Sequence, residues 1–186
     1  LSKSPRGGGI KKYLGERGDD LPAELRAAAA ISPPLDLSRC ARALDAPGFW
    51  NLVYRERFLR RLRTKALAKA PRFPEIFDVP AIRAARTFSD FDGVVTARIH
   101  GYASAEDYWQ RCSSGRFLAG VRRPLLAICA ENDPIAPIDA ASVEAARANP
   151  AVTLEVTPAG GHVGFVSGSP FWPSFWAERR AVDFLA

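Results

Sequence analysis

Histidine is almost absent from this sequence, with only His100 and His162 present. Cysteine is nearly as scarce: Cys40, Cys112 and Cys129 stand in unrelated contexts, with no CxxC pair. So few ligands at such spacings exclude the usual zinc or iron–sulfur sites. An odd count also excludes a fully paired disulfide framework and fits reduced thiols in a cytoplasmic protein. No apolar run approaches the roughly 18 residues that span a bilayer. No h-region marks a signal peptide. Internal repeats and low-complexity linkers are missing as well. The length of 186 residues therefore predicts one domain with a sizeable core.

What is present is ordinary in amount and uneven in place. Hydrophobic residues make up 47% and charged residues 25%, as in soluble globular proteins. The net charge of +6 is local: residues 55–72, RERFLRRLRTKALAKAPR, hold eight Lys or Arg and one Glu, which is +7, leaving −1 for the remainder. Within that stretch Phe58, Leu59, Leu62, Ala66 and Leu67 recur at helical spacing, the pattern of an amphipathic helix with a solvated basic face. A contact with a membrane surface or an acidic partner ranks second. Nucleic acid ranks last, because no stacking platform or nucleic-acid motif accompanies the charge.

Along the chain, IKKYLGE reads as a short helix stopped near Gly18, and RAAAAIS as a buried strand or a helix of alanines, which periodicity alone does not decide. Residues 38–45 and 49–69 read as helices, VPAIRAARTF as another opened by a proline, and SAEDYWQRC as a helix with a capping signature at Ser104. In the last third, PLLAICAEND and AVTLEV are strands, and IDAASVEAARAN and FWAERRAVDFLA are helices. Strand–helix alternation of this kind predicts an α/β fold with parallel strands near 26–31, 124–130 and 151–156.

Functional groups of such sheets gather beyond the carboxyl ends of the strands. Asp133 ends one strand, and His162, in PAGGHVGFV, follows the next. The two are 29 residues apart, with one helix and one strand between, which brings both loops to the same sheet edge. A carboxylate there would fix the imidazole tautomer, and the imidazole could take a proton from a serine or cysteine. Gly160 and Gly161 allow the histidine loop a close approach. Taken singly, each residue has a plainer role, Asp133 as a helix cap and His162 as a loop residue. Their order and context favour the acid–histidine pair.

These segments, LLAICAENDPIAP and GGHVGFV, resemble the acid and histidine segments of α/β-hydrolases. More narrowly they resemble the YheT-like branch of esterases and acyltransferases. KYLGE, ISPPLDL, ERFLRRLRTKALAKAPRFP, RAARTFSDFDGVVTARIHGYASAEDYWQRCSS and FWAERRAVDFL extend the resemblance from about residue 4 to the C-terminus. It implies an α/β-hydrolase-like fold with a partial, mostly parallel sheet and flanking helices. A lid-like helical region would cover about 38–112, and the whole of 1–186 would form the C-terminal portion of such a domain. It also implies a serine hydrolase acting on small or lipid-like carboxylic esters, without metal or organic cofactor.

The family order is serine, acid, histidine. Asp133 and His162 fill the last two places, and Ser4 falls at the first, ahead of the KYLGE helix. The surroundings of Ser4 depart from the family's glycine elbow. Arg6 stands where little side chain fits, and Pro5 lacks the N–H that would serve the oxyanion hole. The strand delivering Ser4 is expected upstream of Leu1. The second expectation is thus a diverged or truncated, non-catalytic remnant, with the isolated chain impaired. The strand near 26–31 would then expose an unpaired edge, inviting self-association with a second copy. His100 reads as structural, Cys112 as a small buried residue, Ser113 and Ser114 as cap or turn residues, and Ser32 as a strand end.

Overall fold

The computed structural model describes residues 9–169 and 171–186. Its elements run α1 (Gly9–Arg17), β1 (Ala28–Ile31), α2 (Leu37–Asp45), α3 (Phe49–Lys69), α4 (Val79–Ala84), α5 (Phe88–Phe91), α6 (Ala97–His100), α7 (Ala105–Cys112), β2 (Leu125–Ala130), α8 (Ala140–Arg147), β3 (Val152–Thr157), β4 (Val166–Ser169), β5 (Trp172–Phe175) and α9 (Trp176–Leu185). Two compact units emerge: one from residues up to 37 and from 112 onward, the other from Ser38–Arg111.

The first unit is built around β2. It lies between β1 and β3 and is parallel to both, with Ile31 beside Ile128 and Ala130 beside Thr157. All six of its residues are buried. This explains a strand sequence that is apolar throughout rather than alternating: a central parallel strand is covered on both faces. Leu125 and Cys129 point into a cluster with Leu14, Leu35, Leu118, Val121 and Ala146. Leu126, Ile128 and Ala130 point the opposite way, onto Phe165 and Ala177. Helices α1 and α8 thus cover one side of the sheet, and α9 with the Phe165 loop covers the other. Each fully buried Leu or Ile of β2 contributes about 1.5–3 kcal/mol of burial.

The ambiguous RAAAAIS segment resolves as β1 because its backbone pairs with β2. Its small side chains add little, so the parallel ladder decides what periodicity does not. Helix α1 stops at Gly18, whose φ is 53°, a left-handed value that glycine adopts without strain. It rests on the 3₁₀ turn Gly115–Gly120 by backbone contact: a Cβ on Gly15 would collide with the Phe117 carbonyl, and one on Gly120 with the Gly15 carbonyl.

The second unit is helical. Leu59 and Ala66 of α3 meet Phe77, Ile82, Phe91 and Val95 in its core. VPAIRAARTF, which reads as one helix in the sequence, is two. Helix α4 starts at Asp78, which accepts from the Ala81 N–H, and ends as Ala85 leaves the helical region at ψ 121°. A new start follows at Thr87. Its hydroxyl accepts from the Asp90 N–H, while the Asp90 carboxylate accepts from the Arg86 and Thr87 N–H groups. The local cap wins over helical continuation because it satisfies otherwise orphaned N–H groups. At Ser104 the same logic holds: its hydroxyl accepts from Asp107 N, and Asp107 accepts from Ala103 N.

The C-terminal region holds a feature that the sequence pattern does not announce. Val166–Ser169 and Trp172–Phe175 pair as an antiparallel hairpin between the histidine loop and α9. Four-residue strands containing Gly168 and Pro173 carry no clear alternation, so pattern could not reveal them. No helix among the described residues is long and apolar enough to cross a membrane.

Candidate active site

β2 ends at Ala130, and the turn after it places Asp133 at the carboxyl edge of the sheet. The Asp133 side chain is 1% exposed, and its two oxygens have separate partners. Oδ1 accepts from the Ile135 and Ala136 N–H groups at 2.8 and 2.9 Å. Oδ2 lies 3.0 Å from His162 Nδ1. Capping the loop and facing the histidine are therefore compatible roles of one carboxylate.

Burial pushes the Asp133 carboxyl upward. The hydrogen bonds from His162, Ala136 and Ile135, with the charge interaction with His162, outweigh it, and the net displacement is below the ordinary carboxylate value. Asp133 is thus ionised at neutral pH and can only accept. The shared proton then sits on Nδ1, and in the neutral ring the lone pair sits on Nε2. That is the tautomer a general base requires. The His162 side chain is 28% exposed, open enough for another group to reach it.

The histidine loop is tightly specified. Gly161 (φ 60°), Val163 (63°) and Phe165 (45°) all take left-handed backbone angles. For the two residues with side chains this costs on the order of 1–3 kcal/mol each, and it persists only where the surroundings over-determine it. Three anchors do so. Asn132 Oδ1 accepts from the Gly160 and Gly161 N–H groups at 3.0 and 2.9 Å. Ser32 Oγ accepts from Val163 N at 3.0 Å. Phe165 N donates to Gly160 O, and the buried Phe165 ring sits against the underside of β2. A Cβ on Gly160 would come within 2.5 Å of that ring, so only glycine permits this closure.

Ser32 and Asn132 are the residues that sequence reasoning misses. The pattern marks Ser32 only as a strand end. It is that, but it also takes a φ of 45° and is only 4% exposed, and its side chain ties the end of β1 to the residue after His162. Asn132 is legible as the neighbour of Asp133, and nothing local shows that its amide spans to residues 160–161.

Among the other candidates, Ser113 Oγ accepts from Leu37 N and Ser114 Oγ donates to Pro34 O, both structural. Cys112 is fully buried. Burial pushes the Cys129 thiol up to about 11, so it stays protonated and unreactive at neutral pH. His100 closes α6, in the helical unit. No group of three or more His, Cys, Asp and Glu that could hold a metal gathers among the described residues. Ser4, Pro5 and Arg6 lie outside the described residues.

A parallel sheet with an acid after one strand and a histidine after the next is one half of a comparison; the sequence supplies the other. Residues 22–169 match the alpha/beta hydrolase fold family. The chain belongs to the α/β-hydrolase family. Within this family it is YheT-like: it is 34% identical over 175 residues to the putative esterase YheT of Escherichia coli (strain K12), covering 92% of this chain and 50% of that protein. It is 33% identical to the mouse (Mus musculus) Phospholipase ABHD3, over 88% of this chain and 39% of that protein. To a Monoacylglycerol lipase of Saccharomyces cerevisiae it is 30% identical, over 84% and 35%. The chain thus spans half or less of the length of these α/β-hydrolase relatives.

Proposed function

We propose that this chain carries the acid and base of a serine hydrolase acting on carboxylic esters, with Asp133 and His162 as that pair and Ser4 as nucleophile. The carrying observation is the hydrogen bond between the buried Asp133 carboxylate and His162 Nδ1. His162 Nε2 would take the proton as Ser4 Oγ attacks the ester carbonyl. The imidazolium formed would be stabilised by Asp133 and would return the proton to the departing alcohol. Water would release the acyl group; an alcohol in its place would make the reaction an acyl transfer. Relatives named as a phospholipase and a monoacylglycerol lipase favour lipid-like esters over other carboxylic esters.

A specific observation favours a second, non-catalytic reading: Pro5 follows Ser4 and has no N–H to give an oxyanion. One missing donor typically costs about 10²–10³ in rate. Turnover of p-nitrophenyl esters by the full chain, with covalent labelling by a fluorophosphonate, separates the two. The hydrolase reading expects slow turnover, abolished in both Ser4→Ala and His162→Ala, and labelling at Ser4. Turnover indifferent to His162→Ala would refute the role of the pair, and no turnover with Ser4 unlabelled would establish the non-catalytic reading instead.

A further inference from the structure

Helix α3 is held from one side only. Leu59 and Ala66 are buried in the core of the helical unit. Arg55 donates to the Asp45 carbonyl, and Arg63 donates to the Ala85 carbonyl and pairs with Glu56 at 3.2 Å. These contacts fix the rotation of the helix about its axis. At 100° per residue, Trp50, Val53, Tyr54, Arg57, Arg60, Arg61 and Lys65 then share the opposite, exposed side.

That outward side is divided along its length. Its first two turns are apolar and exposed: Phe49 is 71% and Trp50 69% accessible, with Val53 and Tyr54 exposed beside them. The following turns are basic. Among the described residues Arg57, Arg60, Arg61 and Lys65 have no carboxylate within 4.0 Å, unlike Arg63. Arg60, Arg61, Thr64 and Lys65 line an open surface depression. Exposed aromatic and aliphatic groups in one contiguous patch are costly for a surface with nothing to meet.

We propose that the outward face of α3 docks the protein on an anionic lipid bilayer. Charge complementarity selects the occupant: four unpaired cations in three turns face lipid phosphates and acidic headgroups. The apolar end selects a bilayer over a nucleic acid. Val53 has no face on which a base could stack, but it fits the boundary of the acyl chains, and Trp50 and Tyr54 suit the headgroup level. From Trp50 to Lys65 the face runs about 22 Å, at 1.5 Å per residue, so both halves reach one surface together when the helix lies flat. Electrostatic approach and shallow apolar insertion are the two signals that stable peripheral binding needs. This inference does not rest on the hydrolase reading.

The test is flotation of the full chain with vesicles of phosphatidylcholine alone or mixed with phosphatidylserine, at low and high salt. Binding is expected on the mixed vesicles, weak on the neutral ones, and lost as salt rises. Each arginine removed should lower the partition coefficient about fivefold. The triple variant Arg57→Gln, Arg60→Gln, Arg61→Gln should therefore fall about a hundredfold. Brominated lipid should quench the wild-type tryptophan fluorescence, and less so in Trp50→Phe. Equal partition on neutral and anionic vesicles, or no partition on either, would overturn the proposal. So would salt-sensitive binding to RNA without vesicle binding. If the triple variant fails to fold, the wild-type salt dependence and the Trp50 quenching still decide.

Discussion

Replacing Asp133 by Asn exchanges one carboxylate oxygen for an amide nitrogen and tests the logic of the site. The amide oxygen can still accept from Ile135 and Ala136, so the turn after β2 is retained. The amide nitrogen would then stand 3.0 Å from His162 Nδ1, where an acceptor stood before. An NH₂ group there forces Nδ1 to accept, and the imidazole proton moves to Nε2. A charge-assisted bond, of a kind that contributes about 1.5–3 kcal/mol, thus becomes a weaker neutral one. His162 is partly open to solvent, which favours the lower end. The melting temperature of a chain this size should fall by roughly 3–6 °C.

The pH dependence has a definite sign. The Asp133 carboxyl titrates lower in the folded chain than in the unfolded one. Its contribution is therefore fully present above the unfolded value near 3.9, and is lost as pH falls through the folded value. The stability gap between wild type and Asp133→Asn should therefore close as pH falls through the folded carboxyl value. With only two histidines, the ring nitrogens are readily assigned by long-range proton–nitrogen NMR. The expected result is the Nδ1–H form of neutral His162 in wild type and the Nε2–H form in the variant. Nε2–H in both, or a gap that stays fully open as pH falls through the folded carboxyl value, would refute the argument.

Ser32→Ala removes the acceptor for Val163 N–H and should cost about 1–3 kcal/mol, with faster amide exchange confined to residues 160–165 and little change in β2. Gly15→Ala puts a methyl group against the Phe117 carbonyl; chemical denaturation should show a loss of about 1–3 kcal/mol, more than the gain of up to about 1 kcal/mol that the same substitution brings to an unhindered helix.

Much of this protein is written in its one-dimensional pattern. The unbroken apolar run of β2, the alternation of β3, the proline and serine starts of two helices and the placement of Asp133 and His162 after successive strands are all legible, because each depends on neighbours within a few residues. Tertiary structure decided what depends on distant partners. AAAAI has no periodicity of its own and became a strand by pairing with residues almost a hundred positions away. The hold of Asn132 and Ser32 on the histidine loop spans 28 and 131 residues. The left-handed angles of Val163 and Phe165 exist only because those anchors impose them. The basic charge of residues 55–72 is plain in the sequence, but which arginines bond inward and which face solvent was settled by the side of α3 that its core contacts hold. Local preference is a property of the chain; register, strain and exposure are properties of what the chain is packed against.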